Sequence, residues 1–331
     1  MPAEWEPHLG TWIAWPYNKE HWPGKFDPIP PLYGKIVRAL LDGGDNVFIL
    51  VKNSEMEHEA REHIKCNADD IRFFHFPTNS SWTRDFGPLF IKDKGGQLVI
   101  TDWGFNMWGG KYPPWDLDDV IPRKIGAALS LPVLEPPMIL EGGSIDVNGA
   151  GVLLTTKQCL LNKNRNPNLS QEQIEGFLDE YLGAKKILWL DEGIVGDDTD
   201  GHIDDIARFV DAKTILAQGE ANPEDENHEI LQKNLDDLEA ARDLSGNTFR
   251  IIPLPMPNPV VYEETRLPAS YANFYIANKA VLVPTFQCAQ DAQVLDIFQK
   301  LFPTRKIVGI DAVDLVWGLG TIHCSTQQHP L

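Results

Sequence analysis

The chain has 331 residues, of which 43% are apolar and 23% are charged, and its formal net charge at pH 7 is −19. These proportions are ordinary for a soluble globular protein with a large core, so they argue against long disordered stretches. The acidic balance argues against a nucleic-acid partner, because phosphate binding needs clustered lysine and arginine, and it favours a cationic ligand.

The start of the chain and its cysteines narrow the class of protein further. No basic segment followed by an apolar run begins the sequence, and no apolar run approaches the roughly 18 residues of a membrane span. We therefore expect a cytoplasmic protein without a membrane partner. The cysteines show neither a CxxC pair nor zinc-ligand spacing, so no disulfide scaffold or structural metal is predicted; they are Cys66, Cys159, Cys288 and Cys324.

The first 76 residues predict strands and helices in alternation. Strands are predicted over residues 11–15, 46–51 and 71–76, with an amphipathic helix over 32–41 that Gly43 and Gly44 end. Ser54 and Glu57 form the pattern of a capping box and predict a second, more polar helix.

From residue 89 onward one unit of β-hairpin, helix and strand recurs. The predicted hairpins cover residues 89–102, 138–156, 202–217 and 271–283; the helices cover 118–131, 170–182, 227–243 and 291–302; the closing strands cover 132–134, 187–190, 249–252 and 306–310. Residues 321–324 would begin a fifth unit that the strand over 11–15 completes. A ring closed by the two chain ends leaves no open sheet edge. The alternative is an open mixed sheet with helices on its faces.

A polar motif occupies the same position in each unit. The motifs are Trp-Thr-Arg-Asp-Phe-Gly-Pro at 82–88, Glu-Gly-Gly-Ser at 141–144, Gly-His-Ile-Asp-Asp at 201–205, Pro-Ala-Ser-Tyr-Ala-Asn at 268–273 and Gly-Leu-Gly-Thr-Ile-His-Cys at 318–324. Glycine lets backbones approach each other closely. A closed ring would therefore bring the motifs together near one end of its axis.

These motifs supply a candidate nucleophile and a candidate acid/base. Cys324 is the candidate nucleophile, because the glycines before it leave an open approach to its sulfur. The period of two in a strand puts His202 and Asp204 on one face and Asp205 on the other, so His202 is the candidate acid/base and Asp204 its companion. The same period turns His323 away from Cys324, and we leave it out of the mechanism.

Each acidic motif also has a simpler interpretation. Asp85 could form a plain ion pair with Arg84, and Glu141 could merely accept backbone hydrogen bonds. The run of acidic residues over 198–204 could bind a cation, although its spacing does not match an EF-hand. Trp82 is a candidate wall for a cationic ligand.

With these motifs in view, the sequence resembles the agmatine deiminase family, within the guanidino-modifying enzymes that include bacterial peptidyl-arginine deiminases. The resemblance covers nearly the whole chain, including residues 1–16, 105–110 and 160–167 besides the motifs above. It implies an α/β fold, a five-bladed α/β propeller or pentein, built from pseudo-repeated hairpin-helix-strand units around an axial active site. It also implies a single catalytic domain over residues 1–331.

The resemblance implies a role for each candidate residue. Cys324 would attack the guanidinium carbon to form an amidino-thioester, and His202 would protonate the leaving ammonia and then activate water. Asp85 and Asp204 would hold the guanidinium, and Glu141 would orient His202. Paired carboxylates suit a planar, charged guanidinium because they grip its nitrogen edges and leave its carbon open. No cofactor and no metal is implied.

The leading hypothesis is hydrolysis of agmatine, a small cationic guanidino substrate, to N-carbamoylputrescine and ammonia in putrescine metabolism. Three alternative functions stay open: deimination of peptide arginine, metal-dependent hydrolysis and noncatalytic ligand binding. The chain could also form a homo-oligomer. The sequence departs from the family pattern at Leu319, where glycine is common, and at Phe86, where a small residue is common. We expect these departures to affect substrate detail.

Overall fold

The computed structural model describes residues 1–66 and 69–331. The strands are β1 (His8–Ala14), β2 (Asn46–Leu50), β3 (Ile71–Phe74), β4 (Leu89–Lys92), β5 (Leu98–Thr101), β6 (Val133–Leu134), β7 (Asp146–Val147), β8 (Val152–Thr156), β9 (Lys186–Leu190), β10 (Ala207–Asp211), β11 (Thr214–Gly219), β12 (Arg250–Pro255), β13 (Val261–Tyr262), β14 (Thr265–Arg266), β15 (Tyr275–Ile276), β16 (Ala280–Thr285), β17 (Lys306–Asp311) and β18 (Gln327–Pro330).

The helices alternate with these strands. They are α1 (Ile29–Asp42), α2 (Ser54–Ile64), α3 (Thr83–Phe86), α4 (Met107–Gly110), α5 (Ile121–Leu129), α6 (Lys157–Leu160), α7 (Gln171–Leu182), α8 (His228–Ala240) and α9 (Gln290–Leu301). Short 3₁₀ helices cover Lys19–His21, Gly142–Ser144, Ile203–Asp205 and Leu315–Gly318. Among the described residues, no helix is both long and apolar enough to cross a membrane.

The predicted unit recurs in five sheets. Each sheet combines an antiparallel pair of strands with a parallel pair, and the orders are β18-β1-β2-β3, β4-β5-β6, β7-β8-β9, β10-β11-β12 and β15-β16-β17. A small hairpin, β13-β14, stands apart from them. The first and last strands pair, with Thr11 opposite Gln328, so the two chain ends share one sheet. The fold is a mixed α/β fold.

Local sequence signals fix the helix ends where capping is strong. The predicted capping box of α7 is present, because Ser170 and Gln173 exchange hydrogen bonds, and Gly183 ends this helix in the left-handed conformation. The predicted box of α2 is wrong by one residue. There the side chain of Asn53 accepts the hydrogen bond from the backbone nitrogen of Met56.

Three predicted strands are wrong around the polar motifs. Residues 142–144 and 203–205 form 3₁₀ turns, and residues 321–324 form an irregular turn, so the last strand begins only at Gln327. Side-chain hydrogen bonds to the local backbone stabilise the first and the last of these turns: Ser144 Oγ donates to Glu141 O, and Ser325 Oγ donates to Thr321 O. The polar motifs therefore lie on turns before the strands.

The core lies between the sheets and the helices that cover them. Central strand residues such as Ile49, Leu154, Leu216 and Leu282 are buried. These buried apolar side chains hold the strands in place. The turns that carry the polar motifs are therefore anchored to a rigid framework.

Candidate active site

The turns that carry the polar motifs meet around Cys324. The backbone carbonyl of Cys324 accepts a hydrogen bond from Arg84 N at 3.0 Å, which ties the nucleophile turn to α3. Asp85, the next residue in α3, accepts a hydrogen bond from Gly143 N at 3.0 Å through Oδ1. The predicted convergence of these motifs is therefore present.

Two aspartates flank the candidate acid/base. The Nδ1 atom of His202 lies 3.6 Å from Asp85 Oδ1 and 3.9 Å from Asp204 Oδ1, and all three side chains are buried. Gly143 makes this approach possible: a Cβ there would lie 2.7 Å from both Asp85 Oδ1 and His202 Nδ1. Gly143, the second glycine of the motif at 141–144, is therefore needed because a larger residue would collide with both side chains.

The charges of this cluster shift its proton affinities. Burial raises the pKa of Asp85 to about 6, despite the opposing effect of His202. Burial is the largest single effect and lowers the pKa of His202, but Asp85, Cys159 and Glu141 together outweigh it and hold this pKa well above its usual value. His202 is thus a proton donor at neutral pH.

The thiol of Cys324 lies beside Asn273 and Asp204. Asn273 Nδ2 donates to Sγ at 3.1 Å, and Asp204 Oδ2 lies 3.7 Å from Sγ. Burial raises the pKa of Cys324 well above its ordinary value, and the carboxylates of Asp204, Asp205 and Asp85 raise it further. The thiol is therefore protonated when no cation occupies the site.

Asp204 is held in place by a chain of buried polar groups. His323 Nδ1 lies 2.7 Å from Asp204 Oδ2, and His323 Nε2 lies 2.9 Å from Glu4 Oε2. Burial is the largest single effect and raises the pKa of Asp204, but hydrogen bonding from His323 and the positive charges of His323, His202 and Arg208 together outweigh it, so the net shift is downward. His323 thus supports the site through Asp204; the strand period that was expected to turn it away from Cys324 does not apply, because residues 321–324 form an irregular turn.

Glu141 lies close to His202 without bonding to it. Its Oε1 accepts a hydrogen bond from Arg165 Nε at 2.7 Å, while its Oε2 has no partner among residues 1–66 and 69–331. Ligand-type atoms of Glu141, Cys159 and His202 lie within 4.8 Å of one another. The predicted orientation of His202 by Glu141 therefore stays a prediction.

Sequence reasoning missed several polar contacts. The strand period wrongly put Asp205 on the far face; because the residues form a 3₁₀ turn, Asn273 Nδ2 contacts both Asp204 Oδ2 at 3.2 Å and Asp205 Oδ1 at 3.1 Å. Trp108 Nε1 donates to Asp85 Oδ2 at 2.9 Å. Asn273 ends one of the five motifs, and Trp108 lies in a Trp-Gly-Gly segment, so a signal existed for both.

A cavity of about 400 Å³ leads to Cys324. Its lining is mainly aromatic and acidic and includes Trp82, Trp108, Tyr112, Tyr262 and Trp317 together with Asp85, Asp198, Glu20 and Glu263. Trp82 therefore lies where it was predicted, in the wall of the cavity. Aromatic faces and carboxylates both attract cations.

The segment over residues 318–324, which carries Cys324, packs closely against Trp82. A Cβ on Gly318 would lie 2.9 Å from the Trp82 ring and one on Gly320 would lie 2.8 Å from it, so only glycine fits at either position. Leu319 between them also lines the cavity and adopts a left-handed backbone with φ of 68°.

The acidic run over 198–204 does not assemble as a cation site. Asp198 bonds to Tyr112, Asp200 pairs with Lys111 at 2.9 Å, and Asp204 bonds to His323. Lys111 Nζ also lies 3.5 Å from Asp198 Oδ1, so one lysine pairs with Asp198 and Asp200, while Asp204 is engaged by His323. Asp204, Asp205 and Cys324 also lie close enough together to hold a metal, but this group includes the candidate nucleophile.

Comparisons with known proteins agree with this geometry. The family model of the Porphyromonas-type peptidyl-arginine deiminases matches residues 1–330. A Legionella pneumophila protein provisionally named agmatine deiminase is 39% identical over 332 residues, which cover 100% of this chain and 94% of that protein.

Solved structures extend the comparison. The agmatine deiminase of Enterococcus faecalis has a TM-score of 0.93 and is 32% identical, covering 100% of this chain and 95% of that one. A cysteine-to-serine variant of a C. jejuni agmatine deiminase with substrate bound has a TM-score of 0.91 and is 36% identical, covering 99% and 95%.

Proposed function

Because the chain belongs to the Porphyromonas-type peptidyl-arginine deiminase family, we propose that it is a guanidino-group hydrolase that converts agmatine and water to N-carbamoylputrescine and ammonia. The observation that carries this proposal is the arrangement around Cys324, in which Cys324 and Asp85 line the cavity and His202 and Asp204 are fully buried. There a thiol, two aspartates and a protonated imidazole lie close together. A guanidinium needs this combination of two anions, a nucleophile and an acid.

The substrate itself would activate the nucleophile. Carboxylates around Cys324 hold its pKa high. A bound guanidinium places a positive charge between Asp85 and Asp204, which offsets that effect and favours loss of the thiol proton to solvent water. The thiolate then forms the carbon–sulfur bond, and the electron pair of one C=N bond moves to nitrogen. Asn273, which donates to Sγ, keeps the sulfur in position.

His202 would serve first as an acid and then as a base. Its imidazolium gives a proton to the departing nitrogen, and ammonia leaves as the C–N bond breaks. Neutral His202 next takes a proton from water, whose oxygen attacks the amidino-thioester. Breaking of the carbon–sulfur bond returns the electron pair to sulfur, the hydroxyl proton of the adduct passes to this thiolate and restores the thiol, and the carbamoyl product leaves. Glu141, 4.8 Å or less from His202, would support the imidazolium charge.

Agmatine is favoured over peptide arginine by the lining of the cavity. Agmatine carries a second positive charge at its far end, and the carboxylates of Glu20, Asp198 and Glu263 line the same cavity as Cys324. A peptide would instead present a neutral backbone to these acids. Relatives that match this chain over nearly their full length are named as agmatine deiminases, which supports the same choice.

We extend the proposal to architecture and context. The five sheets of shared strand pattern would be the blades of a pentein propeller, with the motif-bearing turns at one end of its axis. Residues 1–331 would form a single catalytic domain that works in the cytoplasm in putrescine formation. No cofactor or metal is required by the steps above, since the aspartates and His202 manage charge and protons.

The test is ammonia release from agmatine, free arginine and a peptide with internal arginine, all in excess chelator. We expect turnover of agmatine by the unaltered chain and none by Cys324→Ser, which keeps the fold because serine is nearly isosteric. If only the peptide reacted, peptide arginine and not agmatine would be the substrate. Loss of activity in chelator would point to the metal-dependent alternative, and silence on all three substrates would leave a binding module.

A further inference from the structure

Leu319 combines an unfavourable backbone with a place in the cavity wall. Its φ is 68° and its ψ is 15°, a left-handed conformation in which the Cβ of an L-residue is crowded by its own backbone. Glycine is the usual residue there, and this position closes the 3₁₀ helix Leu315–Gly318. Such a conformation persists where the surrounding structure holds it in place, and it often does so beside a functional site.

The side chain of Leu319 lies at the cavity and not in the deep core. It is half-buried, it lines the cavity that leads to Cys324, and it packs on the edge of the apolar cluster near Trp317 and Tyr262. The glycines on either side of Leu319 pack so closely against the rings of Trp22 and Trp82 that neither position has room for a Cβ. A branched apolar side chain is therefore held rigidly in the wall.

We infer that Leu319 is a specificity-determining residue that restricts the cavity to unbranched guanidinoalkyl amines. This inference rests on the proposed function and names the feature that excludes arginine derivatives. Arginine and its amide differ from agmatine by a carboxylate or carboxamide on the carbon that bears the amine. Leu319 narrows the cavity against that branch and offers it no hydrogen-bond partner, so a polar branch would be buried without compensation.

Two substitutions at this position separate side chain from backbone. Leu319→Ala removes the side chain but keeps the left-handed strain, whereas Leu319→Gly removes both. Ser130→Gly is the matched control, because Ser130 has φ of 55° at the exposed end of α5, outside the cavity lining. It relieves the same kind of strain at a position remote from the substrate.

The experiment measures kcat/KM for agmatine and for argininamide in these three variants and the unaltered chain. We expect the ratio of argininamide to agmatine to rise tenfold or more in both Leu319 variants and to stay constant in Ser130→Gly. Free arginine should gain less than its amide, because its carboxylate meets the acidic lining. Leu319→Gly should also resist unfolding better than Leu319→Ala.

The outcomes separate this inference from the function beneath it. If the unaltered chain turns over agmatine but the ratio stays within twofold in both Leu319 variants, the inference is overturned and the function stands. A change in Leu319→Gly alone would assign the effect to the backbone and would also overturn it. Absence of agmatine turnover by the unaltered chain would overturn the proposed function and this inference together.

Discussion

Replacement of Glu4 by glutamine is expected to destabilise the protein strongly. Glu4 is 5% exposed, and its Oε2 lies 2.9 Å from Arg208 Nη2, 3.3 Å from Arg84 Nη2 and 2.9 Å from His323 Nε2. Its Oε1 accepts a hydrogen bond from Ile276 N at 2.8 Å. One carboxylate therefore hydrogen-bonds with Arg84, His323 and Ile276 N and also forms an ion pair with Arg208, so it engages three basic side chains.

The magnitude follows from this coordination. Removing one partner of a buried ion pair costs about 3–5 kcal/mol, because the remaining charge stays buried without compensation. Glutamine keeps one acceptor oxygen but turns an amide donor toward the other donors. We therefore expect Glu4→Gln to lower the free energy of unfolding by about 3 kcal/mol, near the lower end of that range.

The matched control is Glu57→Gln on the surface of α2. Glu57 makes the same kinds of contact, with Arg61 at 2.8 Å and His75 at 2.7 Å, but in solvent. Such exposed pairs contribute about 0.2–1 kcal/mol. Chemical unfolding at pH 7, followed by the fluorescence of the ten tryptophans, measures both variants. A loss below about 1 kcal/mol in Glu4→Gln, or equal losses in the two variants, would refute the reasoning.

The pH dependence gives this prediction a sign. Burial raises the pKa of Glu4, but Arg208 and His323 together hold it well below its ordinary value of 4.5. The ionised carboxylate therefore contributes stability that is complete above the unfolded pKa and is lost as the pH falls through the lower, folded pKa. The difference between Glu4→Gln and the unaltered chain should thus persist at neutral pH and shrink only in strong acid.

Two further predictions concern catalysis. Because the pKa of Asp85 is raised to about 6 and a cation needs its ionised form, kcat/KM for agmatine should fall about tenfold per pH unit below this value, and a pH profile that is flat down to pH 5 would contradict it. Gly143→Ala would place a methyl group 2.7 Å from Asp85 Oδ1 and should lower kcat/KM about 100-fold. Gly176→Ala is its control: nothing lies within 4 Å of that Cβ inside α7, so it should leave kcat/KM unchanged and stabilise the chain by about 0.5–1 kcal/mol. Equal activity in the two glycine variants would show that Gly143 has no steric role.

Local signals predicted elements whose ends depend on neighbouring residues. The hairpin of β4 and β5 and the ends of α7 follow from turn and capping residues within a few positions of each other. The same reasoning failed where the chain leaves regular structure. At residues 203–205 a 3₁₀ turn replaced the predicted strand, so alternation placed Asp205 on the wrong face.

Sequence by itself determined which chemical groups the candidate site contains, because thiol, imidazole and carboxylate types and their motifs are local properties of the chain. Only the tertiary structure decided how those groups are supported. Glu4 reaches His323 across 319 residues, and Trp108 reaches Asp85 across 23. No spacing rule connects such pairs, since side chains distant in sequence come together only when sheets and turns pack. The strained backbone of Leu319 likewise appears only when the loop closes over Trp82.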